Sequence, residues 1–347
     1  MSNVNHNMVI LARESRSLTQ SELALRMDVS QGWISKIEQG LLDIPDDILQ
    51  RLSEILYYPV EFFCQSGVIY PSWSFQYRKR AAMSQKDNHK IQANINIRRL
   101  QIQRLLGAVD IDTSKLLHLS VEEYPSASSI AQAIRSAWML PRGPIANLVK
   151  TVEDAGILVL FCDFQNHYFD GVTLITPELI PMIFVNSDIP GDRLRFTIAH
   201  ELGHIIMHRF PSETMEDEAN QFAAEFLLPQ ADILPDLQNL TLQKLADLKR
   251  HWKVSMAAIL KRAKELEAVT DRSYRTLQMN MSAKGMRTQE PIPIPKENPT
   301  LLKEILQLYY TELGYSESDL SKSLLLNFNE FQEYYVSGNG VLRLVRK

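Results

Sequence analysis

The sequence predicts an α+β protein, with an all-α head joined to a mixed α/β domain that contains a small sheet, followed by a helical C-terminal region. Three observations support this fold class. Apolar residues recur at helical spacing through residues 6–65, short β-branched and aromatic runs are confined to residues 157–185, and helical patterns return from residue 192. A chain of 347 residues is long enough for two or three domains. We divide it into segments 1–66, 67–125, 126–290 and 291–347.

The composition is that of an ordinary globular protein, with 45% hydrophobic and 22% charged residues. The first 30 residues lack the features of a secretory signal, and no apolar stretch approaches membrane-spanning length. We therefore expect a cytoplasmic protein with no membrane partner. The two cysteines, Cys64 and Cys162, are too few for a disulfide framework or a Cys-rich zinc finger, which agrees with a reducing compartment.

The head has the pattern of a helix-turn-helix. One helix begins near Leu18, Asp28-Val29-Ser30 forms a turn, and a second helix runs over 31–39 until Gly40. Asp28 stands where this motif usually has glycine, but aspartate tolerates the left-handed backbone conformation. We expect the second helix to enter a DNA major groove. The predicted nucleic-acid-binding residues are Gln20, Gln31, Gly32, Trp33, Ser35 and Lys36.

The charge of the head argues against strong DNA binding by the head alone. Residues 1–65 carry five basic and nine acidic side chains, whereas DNA affinity comes mainly from phosphate neutralisation. The segment 67–125, a predicted basic helical connector, contains basic residues interspersed with aromatic ones, a mixture that suits single-stranded nucleic acid as well as duplex phosphates. These residues are Arg78, Lys79, Arg80, Lys86, Lys90, Arg98, Arg99 and Arg104, near Trp73, Phe75 and Tyr77. A solvated helix face is the alternative, and for the head the alternative is a protein-interaction or homodimerisation module.

The mixed domain begins with a helix that ends near Trp138 and a second helix over 145–155. Strands are predicted at 157–161, 172–175 and 182–185, with a tight turn at Asp170-Gly171. The strand 182–185, with Asn186, is either an edge on which an extended peptide pairs or a buried structural strand. Helices follow at 192–209 and 213–228, then at 241–268, and a proline-rich spacer at 291–299 leads to a helical tail over 300–336.

The first of the paired helices carries the HExxH pattern, His200-Glu201-Leu202-Gly203-His204, among apolar neighbours. Residues four apart lie on one helical face about one turn apart, so both imidazoles can reach one zinc ion (Zn2+). Glu201 is then placed to act as the general base that takes a proton from the attacking water. The alternative is a chance HExxH on a surface helix, which the apolar flanks disfavour.

A catalytic zinc site usually has three protein ligands, so a third is expected nearby. Glu216 shares a face of the next helix with small residues that permit close approach to the HExxH helix, and Glu218 is the fallback ligand. His208 continues the spacing, but it lies too far along the helix from His200 to share the metal, so we expect a supporting or core role. A thiolate from Cys162 or Cys64 that inhibits the zinc is a further hypothesis; a buried inert thiol is the favoured reading.

These residues resemble the ImmA/IrrE zinc peptidases. The resemblance is carried by residues 196–204, which match FTxAHELGH, by residues 216–223 and by Leu227-Leu228-Pro229. It implies a zincin-like metallopeptidase fold, with His200, His204 and Glu216 as metal ligands and Glu201 as catalytic base. The head resembles the XRE-type helix-turn-helix domain, and together the two resemblances cover about residues 7–65 and 130–290.

Members of that family typically cleave helix-turn-helix repressors and so induce genes of mobile elements, stress responses or phage defence. The resemblance therefore implies a zinc-dependent regulatory endopeptidase with such a repressor as its protein substrate. One alternative is a DNA-binding transcriptional regulator whose zinc domain is a sensor or a structural module without proteolysis. A third reading makes the basic segments 78–104 and 244–264 a nucleic-acid sensor that triggers the peptidase.

Overall fold

The computed structural model describes residues 4–70, 75–76, 84–163, 170–336 and 341–343. The head is all α, as predicted. A capping box between Thr19 and Glu22 starts its second helix, Asp28 closes that helix in the left-handed conformation (φ 51°), and Ser30 caps the third. The helices of the head are α1 (His6–Ser15), α2 (Gln20–Met27), α3 (Gln31–Glu38), α4 (Asp46–Leu56) and α5 (Val60–Cys64).

The connector helix α6 (Gln85–Leu106) is largely buried from Ile91 to Ile102, so this part of it is not a solvated basic face. Arg98 lies with its guanidinium carbon 3.9 Å from the centre of the Tyr334 ring, and Arg99 donates a hydrogen bond to the carbonyl of Val68. These two arginines are 6% and 1% exposed, so neither is available to phosphates, and this part of the nucleic-acid prediction is wrong. Lys86 pairs with a head glutamate, and residues 77–83, which include Arg78, Lys79 and Arg80, lie outside the described residues, as does Trp73.

The mixed domain is built on a five-stranded sheet in the order β1-β3-β4-β2-β5. β2 is parallel to β4 and β5, whereas β3 is antiparallel to β4 and β1. β4 therefore lies in the interior of the sheet, and the idea that residues 182–185 form a peptide-binding edge is wrong because both of its sides are paired. The strands are β1 (Phe75–Gln76), β2 (Leu158–Asp163), β3 (Gly171–Thr176), β4 (Leu179–Asn186) and β5 (Val341–Arg343).

Helices cover one face of this sheet and enclose a core that includes Val159, Phe161, Ile183 and Val185 from the strands. The expected helix over 145–155 is shorter than predicted, because Asn147 caps the backbone N–H of Lys150 and starts the helix there. The helices of this layer are α7 (Ala127–Ala137), α8 (Leu148–Glu153), α9 (Gly191–Met207), α10 (Met215–Leu227), α11 (Gln230–Ile233), α12 (Leu242–Trp252), α13 (Met256–Glu265) and α14 (Asp271–Ala283), with a 3-10 turn at Leu234–Leu237.

The opposite face of the sheet packs against α6, the head and the C-terminal helices in a second core. Leu158, Leu160 and Cys162 point into it from β2, because alternate residues of a strand face opposite sides. The two cores thus share the sheet. The second core packs residues of the segments 1–66, 67–125 and 291–347 against it. The C-terminal helices are α15 (Leu301–Thr311), α16 (Glu317–Ser323) and α17 (Phe328–Phe331), followed by a π-helical turn at Gln332–Val336.

Residues 290–300, which we name the strap, are docked rather than a free spacer. Glu290 accepts hydrogen bonds from the backbone N–H groups at the start of α13, and Glu297 does the same for α8. Each glutamate also pairs with a buried cation, Lys249 and Arg195 respectively. The strap thereby satisfies helix N-termini that would otherwise lack partners. None of the helices in the described ranges has the length and apolarity needed to cross a bilayer.

Candidate metal centre

The two histidines of the HExxH pattern lie one turn apart on α9 and face each other. The Nε2 atoms of His200 and His204 are 3.1 Å apart, and the ring planes stand nearly perpendicular. His204 is 1% exposed, whereas the His200 side chain keeps a narrow opening to solvent at 12%. The site is therefore accessible from the His200 side.

Close packing of α9 on α10 brings an acidic side chain to these imidazoles. Gly203 allows the approach, because a β-carbon at this position would lie 3.3 Å from the Cα of Ala219. Glu216, one turn before Ala219, places Oε1 3.5 Å from His204 Nε2 and Oε2 3.6 Å from His200 Nε2. One donor atom from each of His200, His204 and Glu216 lies within 4.8 Å of the other two.

This donor set fits a zinc ion. Two imidazole nitrogens bound to tetrahedral zinc at ~2.0–2.1 Å stand about 3.3 Å apart, close to the separation found here. The Oε2 atom of Glu216 is buried and has no hydrogen-bond partner in the described structure, although it belongs to a carboxylate. A buried carboxylate oxygen without a donor is costly unless a cation sits beside it. Two imidazoles and one carboxylate are also the ligand set of a common class of catalytic zinc site.

Glu201 lies on the side of α9 that faces the sheet. The hydroxyl of Thr173, on β3, donates a 2.6 Å hydrogen bond to Glu201 Oε2. Burial raises the pKa of the Glu201 carboxyl to about 7, an effect that the charge of His200 and this hydrogen bond only partly oppose. Glu201 is thus held in a dry position, in a single orientation, beside the first histidine.

The second proposed acid, Glu218, lies elsewhere. Its Oε2 is 2.9 Å from His208 Nε2, and the other ring nitrogen of His208 is 3.0 Å from His204 Nδ1. The Nδ1 atom of His200 is 3.2 Å from the side-chain oxygen of Asn220. The structure therefore places Glu216 beside the facing ring nitrogens and Glu218 behind His204.

The three candidate ligands have shifted pKa values. The adjacent imidazoles of His200 and His204 hold the pKa of Glu216 well below its usual range. Burial alone would lower the pKa of His200, but its contact with Glu216 and the charge of Glu201 outweigh burial and raise it. Burial lowers the pKa of His204, which favours its neutral, metal-binding form.

The cysteines do not share this environment. Cys162 points to the opposite face of the sheet from α9, and burial raises the pKa of its thiol to about 12. Cys64 is exposed in the head. The geometry of Cys162 contradicts the hypothesis that its thiolate inhibits the metal centre, and it agrees with the inert-thiol reading.

The head presents part of the predicted DNA-reading set to solvent. Gln31, Gly32 and Lys36 are exposed, whereas Trp33 and Ser35 are partly buried. Gln20 accepts a hydrogen bond from Gln31 and donates one to Glu38, which is itself buried against Arg13. Gln20 and Gln31, the first residues of α2 and α3, are therefore hydrogen-bonded to each other.

Sequence reasoning missed Thr173 as a partner of the site, because one threonine in a strand carries no signal of its distant contact with Glu201. It also gave Asn220 no role, although Asn220 follows Glu216 by one helical turn and so shares its face. That spacing is a usable signal for a group that supports a ligand.

Two family models match segments of the chain. Residues 152–264 match the model of a peptidase family described as IrrE N-terminal-like domain, and residues 9–63 match the model described as helix-turn-helix. Among curated proteins, none matches the chain. The first match spans both helices of the candidate centre and the three interior strands, and the second spans α2 and α3. A segment similar to helix-turn-helix domains is thus followed by a segment similar to IrrE N-terminal-like domains, in the order that the sequence predicted.

Proposed function

We propose that the chain is a zinc-dependent regulatory endopeptidase that cleaves a partner helix-turn-helix repressor in the cytoplasm. The observation that carries this proposal is the convergence of His200, His204 and Glu216 around one point, with Glu201 near enough for its charge to act on His200. The match to a peptidase family supports the reaction class, and the resemblance to the ImmA/IrrE peptidases supports the choice of substrate and the induction of stress-response, mobile-element or phage-defence genes.

The proposed roles follow from the contacts of each side chain. The three ligand side chains hold zinc, which supplies Lewis acidity that acidifies water and polarises a peptide carbonyl. Glu201 accepts the proton of the attacking water and passes it to the departing amine. Thr173 keeps one carboxylate oxygen of Glu201 engaged, so the other oxygen is the one directed to the water.

The experiment uses the full-length protein with zinc and the helix-turn-helix repressor encoded beside it. Wild type is expected to cut the repressor at one or a few bonds, and Glu201→Gln to bind zinc without cutting. Glu216→Ala is expected to lose zinc, whereas Asp217→Ala, which removes an exposed acid from the same turn, is the matched control. Undiminished cleavage by Glu201→Gln would rule out its role as base.

A second candidate function is DNA-binding transcriptional regulation with the metal domain as a sensor or structural module. The exposed Gln31 and Lys36 on α3 and the helix-turn-helix match favour it. Specific binding to an operator, together with zinc binding and no cleavage of the neighbouring repressor, would favour this function over the first. A homodimer on a palindromic site would be a further sign of it.

A further inference from the structure

His204 is the inner end of a short chain of polar groups that leads away from the candidate metal centre. Its Nδ1 is 3.0 Å from His208 Nδ1, and His208 Nε2 is 2.9 Å from Glu218 Oε2. His208 is 4% exposed, and the Glu218 side chain is 21% exposed. The chain therefore runs from the centre, through a buried imidazole, to a carboxylate near the surface.

The backbone explains how His208 reaches back to His204. α9 ends at Met207, and His208 has an extended backbone (φ −111°, ψ 109°) while its N–H still bonds to the carbonyl of His204. This departure from helical geometry turns its ring toward the preceding turn. Glu218 lies in the first turn of α10, so the same chain also connects the end of one helix to the start of the next.

The direction of the hydrogen bonds follows from which groups can accept. An ionised carboxylate only accepts, so His208 Nε2–H donates to Glu218. Neutral His208 then has a lone pair on Nδ1, which accepts the Nδ1–H of His204. That leaves the lone pair of His204 on Nε2, the atom that faces His200 Nε2 and Glu216 Oε1.

We propose that His208 and Glu218 are positioning residues, which hold His204 in the ring orientation and tautomer that bind the metal. This inference rests on the proposed metal centre. The other histidine ligand is served separately, because His200 Nδ1 bonds to the amide oxygen of Asn220 on α10. Ligand histidines in metal sites commonly donate their second ring N–H to such a partner, and loss of the partner weakens metal binding by about 10–100-fold.

The test compares two substitutions at one position in the full-length protein. His208→Leu keeps apolar volume and removes the acceptor, whereas the side-chain oxygen of His208→Asn lies close to where Nδ1 was. Zinc affinity is measured by competition with a chromophoric chelator, and the His204 tautomer by two-bond 1H–15N correlation. We expect His208→Leu to bind zinc about 10–100-fold more weakly and to lose the single tautomer, and His208→Asn to stay within about threefold of wild type.

Glu218, at the outer end of this series of polar groups, provides an independent pair of substitutions. Glu218→Leu is expected to weaken zinc binding by about tenfold, and Glu218→Gln, whose amide oxygen still accepts, by about threefold or less. Thermal melting of the metal-free variants shows which of them fold, and the Glu218 pair decides the matter if His208→Leu does not. Wild-type zinc affinity in folded His208→Leu, or equal losses for the Leu and Asn variants, would overturn the proposal.

Zinc binding is read without proteolysis, so the two proposals fail separately. If zinc affinity depends on His208 and Glu218 in a protein that cuts no repressor, the positioning role stands and the peptidase is refuted. Cleavage by wild type, together with wild-type zinc affinity in His208→Leu, would do the reverse.

Discussion

The two faces of the central sheet differ in the sequence separation of the residues that meet on them. On one face, α9 and α10 bring imidazoles and carboxylates together within a stretch of about twenty residues. On the other face, contacts join residues that are far apart in the chain, such as Arg16 of the head and Glu330 of the tail. The first face concentrates chemistry, and the second fixes the head to the domain that carries it.

The difference predicts separable effects of substitution. Changes on the face that packs against the head and the C-terminal helices, which we call the tail face, should lower stability and leave zinc affinity unchanged, whereas changes between α9 and α10 should lower zinc affinity. The head offers a third, exposed surface, where substitutions should change stability by about 1 kcal/mol or less and leave zinc affinity unchanged.

The largest effect is expected for Glu330→Ala. Arg16 is buried and pairs with Glu330, so the substitution leaves a guanidinium without its counter-charge and lowers the free energy of unfolding by about 3–5 kcal/mol. Denaturant titration measures this loss, with zinc affinity unchanged in the folded protein. The control is Lys86→Ala, whose exposed pair with Glu22 is worth less than about 1 kcal/mol. Similar losses for the two variants would contradict the role assigned to the tail face.

Glu153→Gln tests the contact between the end of α8, on the helical face of the sheet, and the start of α15, on the tail face. Glu153 accepts from the backbone N–H of Thr300, and burial raises its pKa from 4.5 to about 7. The folded state therefore holds the proton more tightly than the unfolded state, and stability falls as the pH rises from about 4.5 through 7, by roughly 3 kcal/mol.

Glutamine keeps the acceptor and removes the charge, so we expect Glu153→Gln to be more stable than wild type at pH 8 and similar to it at pH 4.5. Thermal midpoints across this pH range measure the difference. Glu122→Gln, at an exposed carboxylate, is the control and should follow wild type. A parallel pH profile for Glu153→Gln and wild type would show that Glu153 does not titrate in this range.

Gly203→Ala probes the contact that brings Glu216 to the histidines. A β-carbon there would lie 3.2 Å from the Phe222 ring and 3.3 Å from Ala219, so α10 must move away by a few tenths of an ångström. We expect a loss of about 1–2 kcal/mol in stability and about tenfold in zinc affinity. Gly32→Ala is the matched control, since Gly32 is also helical but has open space around it and should gain up to about 1 kcal/mol. Unchanged zinc affinity in Gly203→Ala would separate helix spacing from metal binding.

The smallest effect is expected for Lys36→Ala on the exposed face of α3. If the head contacts duplex DNA through this face, loss of one phosphate contact weakens binding by about 1 kcal/mol or less and lowers the salt dependence by about one ion. Fluorescence anisotropy at several salt concentrations measures both quantities. Lys303→Ala, on the exposed side of α15, should change neither. Equal salt slopes for Lys36→Ala and wild type would remove α3 from the interface.

The sequence predicted the elements whose signals are local. The spacing of His200 and His204 and the shared face of Glu216 and Ala219 are properties of single helices, so they are visible without a fold. The burial of Arg98 was invisible, because its partners Tyr334 and Tyr335 lie at the far end of the chain. The interior position of β4 was equally hidden, since periodicity indicates a strand but not its neighbours in the sheet.

The strap also bears on the order in which the protein folds. Glu297 reaches back across 149 residues to the first N–H group of α8, and Glu290 reaches α13, so the strap can dock only after those helices exist. Contacts of such long sequence separation form late, since loop-closure entropy opposes them. The start of α8, and Arg195, which pairs with the same glutamate, therefore lack this partner during synthesis until Glu297 has been made. The domain that holds the candidate metal centre is completed by residues made long after the candidate ligands.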